Sequence, residues 1–158
     1  MRRKEREVTD KKAIEDIIRK ATICRLGLSL NNKPYIVPMN FGYKNNELYF
    51  HCAKRGMKTD IILENNQVCF EIETDTELVK GEHACIDWKM HYQSVIGFGK
   101  ACMLETADEK TKGLNIIMEH YTGKTETAFT VKNIRSVSII KVEIESMTGK
   151  RSLGEEES

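Results

Sequence analysis

The sequence predicts a mainly β, α+β domain, with about six antiparallel strands closed into a barrel or sandwich and decorated by helices. Three observations lead there. Alternating apolar and polar residues recur at 22–30, 34–43, 47–52, 67–73, 91–104 and 136–145, the period of strands with one buried face. Polar turns, Asn31-Asn32 and Lys44-Asn45-Asn46, join the first three segments at hairpin spacing. Helical stripes occur only at the front, in the middle and before the last strand, which suits helices flanking a closed sheet.

In order, residues 1–9 are charged and read as a flexible N-terminal segment. From Asp10 the residues Ile14, Ile17, Ile18 and Ala21 form an amphipathic stripe, with Thr9 or Asp10 as N-cap. Thr22, Cys24, Leu26, Leu28 and Leu30 alternate as the first strand. In the second, Tyr35, Val37, Met39, Phe41 and Tyr43 share one face, and Ile36, Pro38, Asn40 and Gly42 the other. Pro38 lacks a ladder donor and places this strand at an edge or a bulge. After the third strand, 47–52, come a basic loop and a short apolar helix over about 59–64, which Asn65-Asn66 ends. Val68, Phe70 and Ile72 are the core face of the fourth strand. Residues 74–90 read as a polar excursion. In the fifth strand, about 91–104, Gly97 and Gly99 mark a bend or a close backbone approach. Thr106-x-x-Glu109 is a capping box for a helix that Gly123 stops. Residues 124–135 read as a polar connection, 136–145 as the last strand, and 152–158 as a flexible acidic tail.

The chain has 158 residues and a net charge of +1, so one domain is the default and no global basic field argues for nucleic acid. No apolar run approaches the ~20 residues of a membrane helix. The N-terminus lacks the apolar stretch of a secretory signal, which points to a cytoplasmic protein. Five cysteines, widely spaced and without a CxxC pair, argue against a disulfide framework or a structural zinc site. Cys52 stands apart, because His51 and the basic loop beside it are surroundings that lower a thiol pKa. His83, Cys85 and Asp87 alternate without closing a metal site.

The chemistry concentrates between Lys33 and Glu73. Lys54, Arg55 and Lys58 surround Gly56 at a helix start, where backbone N–H groups and cationic side chains suit a phosphate. Tyr49-Phe50-His51-Cys52-Ala53 followed by Gly56-x-Lys58, with Tyr92-Gln93-Ser94-Val95-x-Gly97 as a second marker, resembles the FMN-binding split β-barrel group. That group includes the pyridoxamine-phosphate oxidases, and the chain is most similar to its nitroimidazole-resistance branch. The resemblance covers residues 10–151 and implies a six-stranded antiparallel split β-barrel, an intertwined homodimer and FMN at the subunit interface.

The resemblance also implies site residues. Lys58 and Arg55 would meet the FMN phosphate, with Cys52 and Ala53 beside them. His51 would touch the ribityl chain or phosphate and serve as the candidate proton donor. Pro38, Met39, Asn40 and Phe41 would run along the isoalloxazine, with their backbone groups at its edge. Tyr92 and Ser94 share one strand face and, with Val95, would complete the site. Glutamine and arginine take the places of Tyr92 and Ser94 in the pyridoxamine-phosphate oxidases, which argues against a vitamin B6 substrate. The Gly149-Lys150-Arg151 segment reads as a solvated basic turn.

The implied activity is electron transfer from a reduced nicotinamide to a small aromatic or nitro acceptor. No GxGxxG motif is present, so the nicotinamide would bind over the flavin face. Two rivals are a non-catalytic flavin-binding protein and a split-barrel protein holding haem through His51, His83, His91 or His120.

Overall fold

Asp10, Thr106 and Thr130 each cap a helix by accepting a backbone N–H with the side-chain oxygen, and these caps frame the chain in the computed structural model, which describes residues 4–84, 86–124 and 128–152. After a 3-10 turn at Lys4–Arg6, the elements are β1 (Glu7–Val8), α1 (Lys11–Lys20), β2 (Cys24–Leu30), β3 (Lys33–Met39), β4 (Gly42–Lys44) and β5 (Glu47–Cys52). They continue with α2 (Met57–Glu64), β6 (Gln67–Val79), β7 (Lys89–Leu104), α3 (Ala107–Thr122), α4 (Val131–Ser136) and β8 (Ser138–Ser152).

The strands form one antiparallel sheet in the order β3-β2-β6-β7-β8-β5-β4, with β1 added to β8. Its two terminal strands, β3 and β4, are consecutive in the chain and joined by Asn40 and Phe41 alone. The sheet must therefore curl until its edges meet at that link, although those edges are not neighbours in the ladder. Pro38 thus sits on an edge strand, as its missing donor requires.

The inner face of the curl is apolar. Leu26, Phe41, Leu48, Phe50, Phe70, Ile72, Val95, Ile140 and Val142 are buried there. Helix α1 adds Ile14, Ile17 and Ile18 to this core, each at a stripe position and each worth roughly 1.5–3 kcal/mol of burial. Helix α2 adds Ile61 and Ile62. A second cluster joins Tyr49 and Ile139, on the opposite strand faces, to Ile116 and Ile117 of α3. Gly97 marks the close approach expected of it: a Cβ there would lie 2.3 Å from Phe70 Cζ and 2.8 Å from the Ser146 carbonyl.

Several boundaries differ from the sequence reading. There are eight strands among the described residues, not six, because β1 is added and the segment 34–43 divides. It divides because the Phe41 N–H bonds the Tyr121 hydroxyl, not a neighbouring strand. Residues 74–90 begin and end as ladder: a register shift between Thr74 and Glu77, with Asp75 at φ 54°, lets the arms pair as Glu77–His91, Leu78–Met90 and Val79–Lys89. The last strand runs on to Ser152, so Gly149-Lys150-Arg151 is strand and not turn. Glu7 and Val8, placed in the flexible N-terminal segment, pair with Lys150 and Gly149. Within 124–135, Thr130 and Asn133 form a capping box that opens α4. Cys85 and the tail beyond Ser152 lie outside the described residues. No helix among the described residues is long and apolar enough to cross a membrane.

Candidate functional site

The basic loop leaves β5 at Cys52 and enters α2 through Gly56. Gly56 has φ 143°, a backbone conformation that side chains rarely adopt, and a Cβ there would meet nothing within 4 Å. The Gly56 carbonyl accepts the Thr59 hydroxyl at 2.7 Å and the Asp60 N–H at 3.0 Å. No side chain caps α2, in contrast to α1, α3 and α4. The N–H groups of Met57, Lys58 and Thr59 therefore have no intrahelical acceptor. Among the described residues Lys54, Arg55 and Lys58 make no ion pair. Free N–H groups, a positive helix end and unneutralised cations in open space fit a phosphate.

The free edge of β3 supplies a second feature. Prolines occupy positions 34 and 38, and a proline cannot donate to a ladder, so residues of that parity face away from β2. The free edge then presents the carbonyls of Pro34, Ile36 and Pro38 and the N–H group of Ile36. Alternating donors and acceptors of this type match the polar edge of a heterocycle. The side chains of Met39 and Phe41 belong to the core, at 8% and 0% exposure. The Phe41 N–H is already taken by Tyr121 at 3.0 Å, which removes it as a ring contact.

Tyr92 and Ser94 face outward from β7, as their spacing requires, whereas Val95 is fully buried in the core and offers no side chain to a ligand. Register places Ser94 opposite Lys150, and the Lys150 Nζ lies 5.3 Å from the Tyr92 ring centroid. Lys150 thus joins this cluster although sequence reasoning assigned it to a solvated turn. No apolar alternation marked it, because that pattern ends at Ile144 while the ladder runs on. On the inner side, Arg151 Nε donates to Gln93 Oε1 at 2.8 Å, and the Gln93 amide donates to Asp75.

His51 and Cys52 lie on opposite faces of β5. His51 is exposed beside Ile139, while Cys52 is 7% exposed and belongs to the inner core. Burial pushes the Cys52 thiol pKa up, and the nearby Lys58 charge opposes this without winning. The expected lowered thiol is thus corrected by desolvation. His83 Nδ1 lies 3.2 Å from Asp87 Oδ2 on the exposed β6–β7 connection. Among the described residues no three His, Cys, Asp or Glu side chains could hold a metal together.

The candidate residues form two groups within one chain. Met39, Cys24, Ile72 and Val95 share a row across four strands, so the β3 and β7 groups are three strand spacings apart, a path of about 14 Å along the curled sheet. His51, through Ile139, is level with Leu104 at the far end of β7 from Ser94.

A curled antiparallel sheet whose two edges meet at a link without pairing is a split β-barrel. The family described as pyridoxamine 5'-phosphate oxidase matches residues 10–151, and the chain belongs to that family. A solved structure of a candidate 5-nitroimidazole antibiotic resistance protein from Bacteroides thetaiotaomicron is 37% identical. The match covers 92% of this chain and 86% of that one, with a TM-score of 0.81. The flavocytochrome Anf3 from Azotobacter vinelandii shares the fold at 17% identity and TM-score 0.81, over 98% of this chain and 72% of its own. An FAD- and haem-binding protein from Mycobacterium smegmatis does so at 17% identity and TM-score 0.83, over 94% and 74%. No curated protein matches the chain.

Proposed function

We propose that this protein is a cytoplasmic, FMN-dependent oxidoreductase that works as a homodimer. The observation that carries the reading is the uncapped start of α2, where Gly56 opens space between three cations that make no ion pair among the described residues. The N–H groups of residues 57–59, with Arg55 and Lys58, would hold the phosphate. His51 and Ala53 would border the ribityl chain, and the free edge of β3 from Ile36 to Asn40 would bond the ring. Bound there, the flavin supplies reversible electron transfer, and the chain supplies binding, orientation and electrostatics. The sequence identity to a candidate nitroimidazole-resistance protein supports a small aromatic or nitro compound as acceptor, with a reduced nicotinamide as donor.

Homodimerisation is supported by the outer face of the sheet. Ile36, Gly27, Cys69 and Phe98 share a row across β3, β2, β6 and β7, and Pro38, Arg25, Glu71 and Ile96 share the next. Ile36, Phe98 and Ile96 are 67%, 57% and 47% exposed. The first row is apolar throughout and the second carries the Arg25–Glu71 ion pair between Pro38 and Ile96, an apolar strip with a polar margin that suits a second copy. The purified protein tests the cofactor assignment. A band near ~450 nm and release of FMN by acid are the expected results, given the spectrum of that cofactor. Release of FAD overturns the FMN assignment, and a Soret band without flavin overturns the whole reading.

A further inference from the structure

Beside the phosphate loop lies a cavity of about 330 Å³ that the flavin reading does not use. Leu30, Asn31, Lys33, Pro34 and Tyr35 line it from the β2–β3 hairpin, and Met57 and Ile61 from α2. It lies at the beginning of β3, whereas the ring-binding edge runs to Asn40 at the other end. Its volume is at the small end of ligand sites, roughly 300–1,000 Å³.

The lining has a specific chemistry. Tyr35, Pro34, Met57, Leu30 and Ile61 make apolar walls suited to the faces of a flat ring, and Tyr35, packed against the core on one side, lines the cavity with the part left exposed. Asn31 supplies the one carboxamide of the lining, a group that donates and accepts together. That pairing matches the N6 and N7 edge of adenine. Lys33 is exposed and, among the described residues, makes no ion pair. Met57 is the first residue of α2, so the cavity also adjoins the uncapped helix start. The acids of that helix, Asp60 and Glu64, do not line it.

We infer that this cavity binds an adenosine 5′-phosphate moiety, with the base between Tyr35 and Met57 and the phosphate on Lys33. The moiety has two possible sources, the adenylyl half of FAD or the adenosine end of a reduced nicotinamide dinucleotide. Only this choice of source rests on the flavin reading.

Calorimetric titration with adenosine 5′-monophosphate, of the protein with and without FMN, tests the site. Saturable binding is expected, with ribose 5-phosphate much weaker. Lys33→Gln and Tyr35→Ala should each weaken the nucleotide about tenfold, the effect of one charged contact or one base stack. Lys33→Gln changes an exposed strand end, so it reports even if Tyr35→Ala fails to fold. Tighter retention of FAD than FMN, lost in Tyr35→Ala, assigns the site to the flavin's own adenylyl half. Equal retention, with adenosine 5′-monophosphate competing against NADH or NADPH, assigns it to the donor. A nucleotide that does not bind, or that binds both variants as tightly as the parent, overturns the inference. The FMN titration of the same samples reports on the flavin reading separately.

Discussion

The hydroxyl of Tyr121 accepts the N–H of Phe41 at 3.0 Å and donates to the carbonyl of Thr22 at 2.7 Å. Phe41 belongs to the link between β3 and β4, and Thr22 to the link between α1 and β2. Next to it, His120 Nε2 lies 2.7 Å from the Ala21 carbonyl, so that nitrogen carries the proton. The His120 ring stands 4.4 Å from that of Phe41. The C-terminal turn of α3 thus fastens the place where the two edges of the sheet meet.

Tyr121→Phe keeps the ring and removes both hydrogen bonds, leaving the Phe41 N–H without its partner. A stability loss of about 1–3 kcal/mol is expected, read as a lower urea midpoint at unchanged slope. An unchanged midpoint would show that the latch contributes nothing.

This latch was not legible in the sequence, because the partners of the Tyr121 hydroxyl lie about eighty and a hundred residues away. Features set by local chemistry were legible. The Thr106–Glu109 box, Gly123 as helix stop at φ 68°, and Pro38 on an edge strand all stand as read. What failed was extent. Apolar alternation ends where burial ends, at Ile72 in β6 and Ile144 in β8, yet backbone pairing carries both strands on through polar residues. Leu78–Met90 and Ser94–Lys150 are ladder neighbours for that reason. The candidate site shows the same division. Period-two geometry placed Tyr92 and Ser94 on one face, whereas the depth of Val95, Cys52 and Phe41 depends on contacts from distant strands.

Cys24 makes stability sensitive to alkaline pH. Burial, reinforced by Glu71 and opposed by Arg25, pushes its thiol pKa far above the usual range. The folded chain keeps the proton while the unfolded chain releases it above about pH 8.5, so stability is full below that pH and falls as pH rises. Each such thiol adds a slope of up to about 1.4 kcal/mol per pH unit. Between pH 8 and 10, Cys24→Ala should lose stability with pH less steeply than the parent. Parallel curves would remove Cys24 as the cause.

Lys58 is expected to hold the flavin phosphate. A charge-assisted contact of roughly 1.5–3 kcal/mol predicts that Lys58→Ala weakens FMN binding by about 10- to 150-fold. Flavin fluorescence titration measures this, and an unchanged dissociation constant removes Lys58 from the site.

The last prediction concerns which chain completes the site. His51, level with Leu104, and Ser94 are separated by a strand path along β7 of about 33 Å, so one chain does not close its own loop over its own Tyr92. The barrel interior is filled by Phe41, Phe50 and Phe70, which leaves no room there for a flavin. A two-fold axis through the outer strip of Ile36, Ile96 and Phe98 would bring Tyr92, Ser94 and Lys150 of one copy to the β3 edge and α2 start of the other. On that arrangement Lys58→Ala and Ser94→Trp damage different halves of each site. Mixing the two variants under conditions of subunit exchange should restore about one good site per heterodimer, read as recovered FMN binding. Light scattering that shows an FMN-loaded monomer at micromolar concentration would exclude a shared site, because half of its contacts would then be missing.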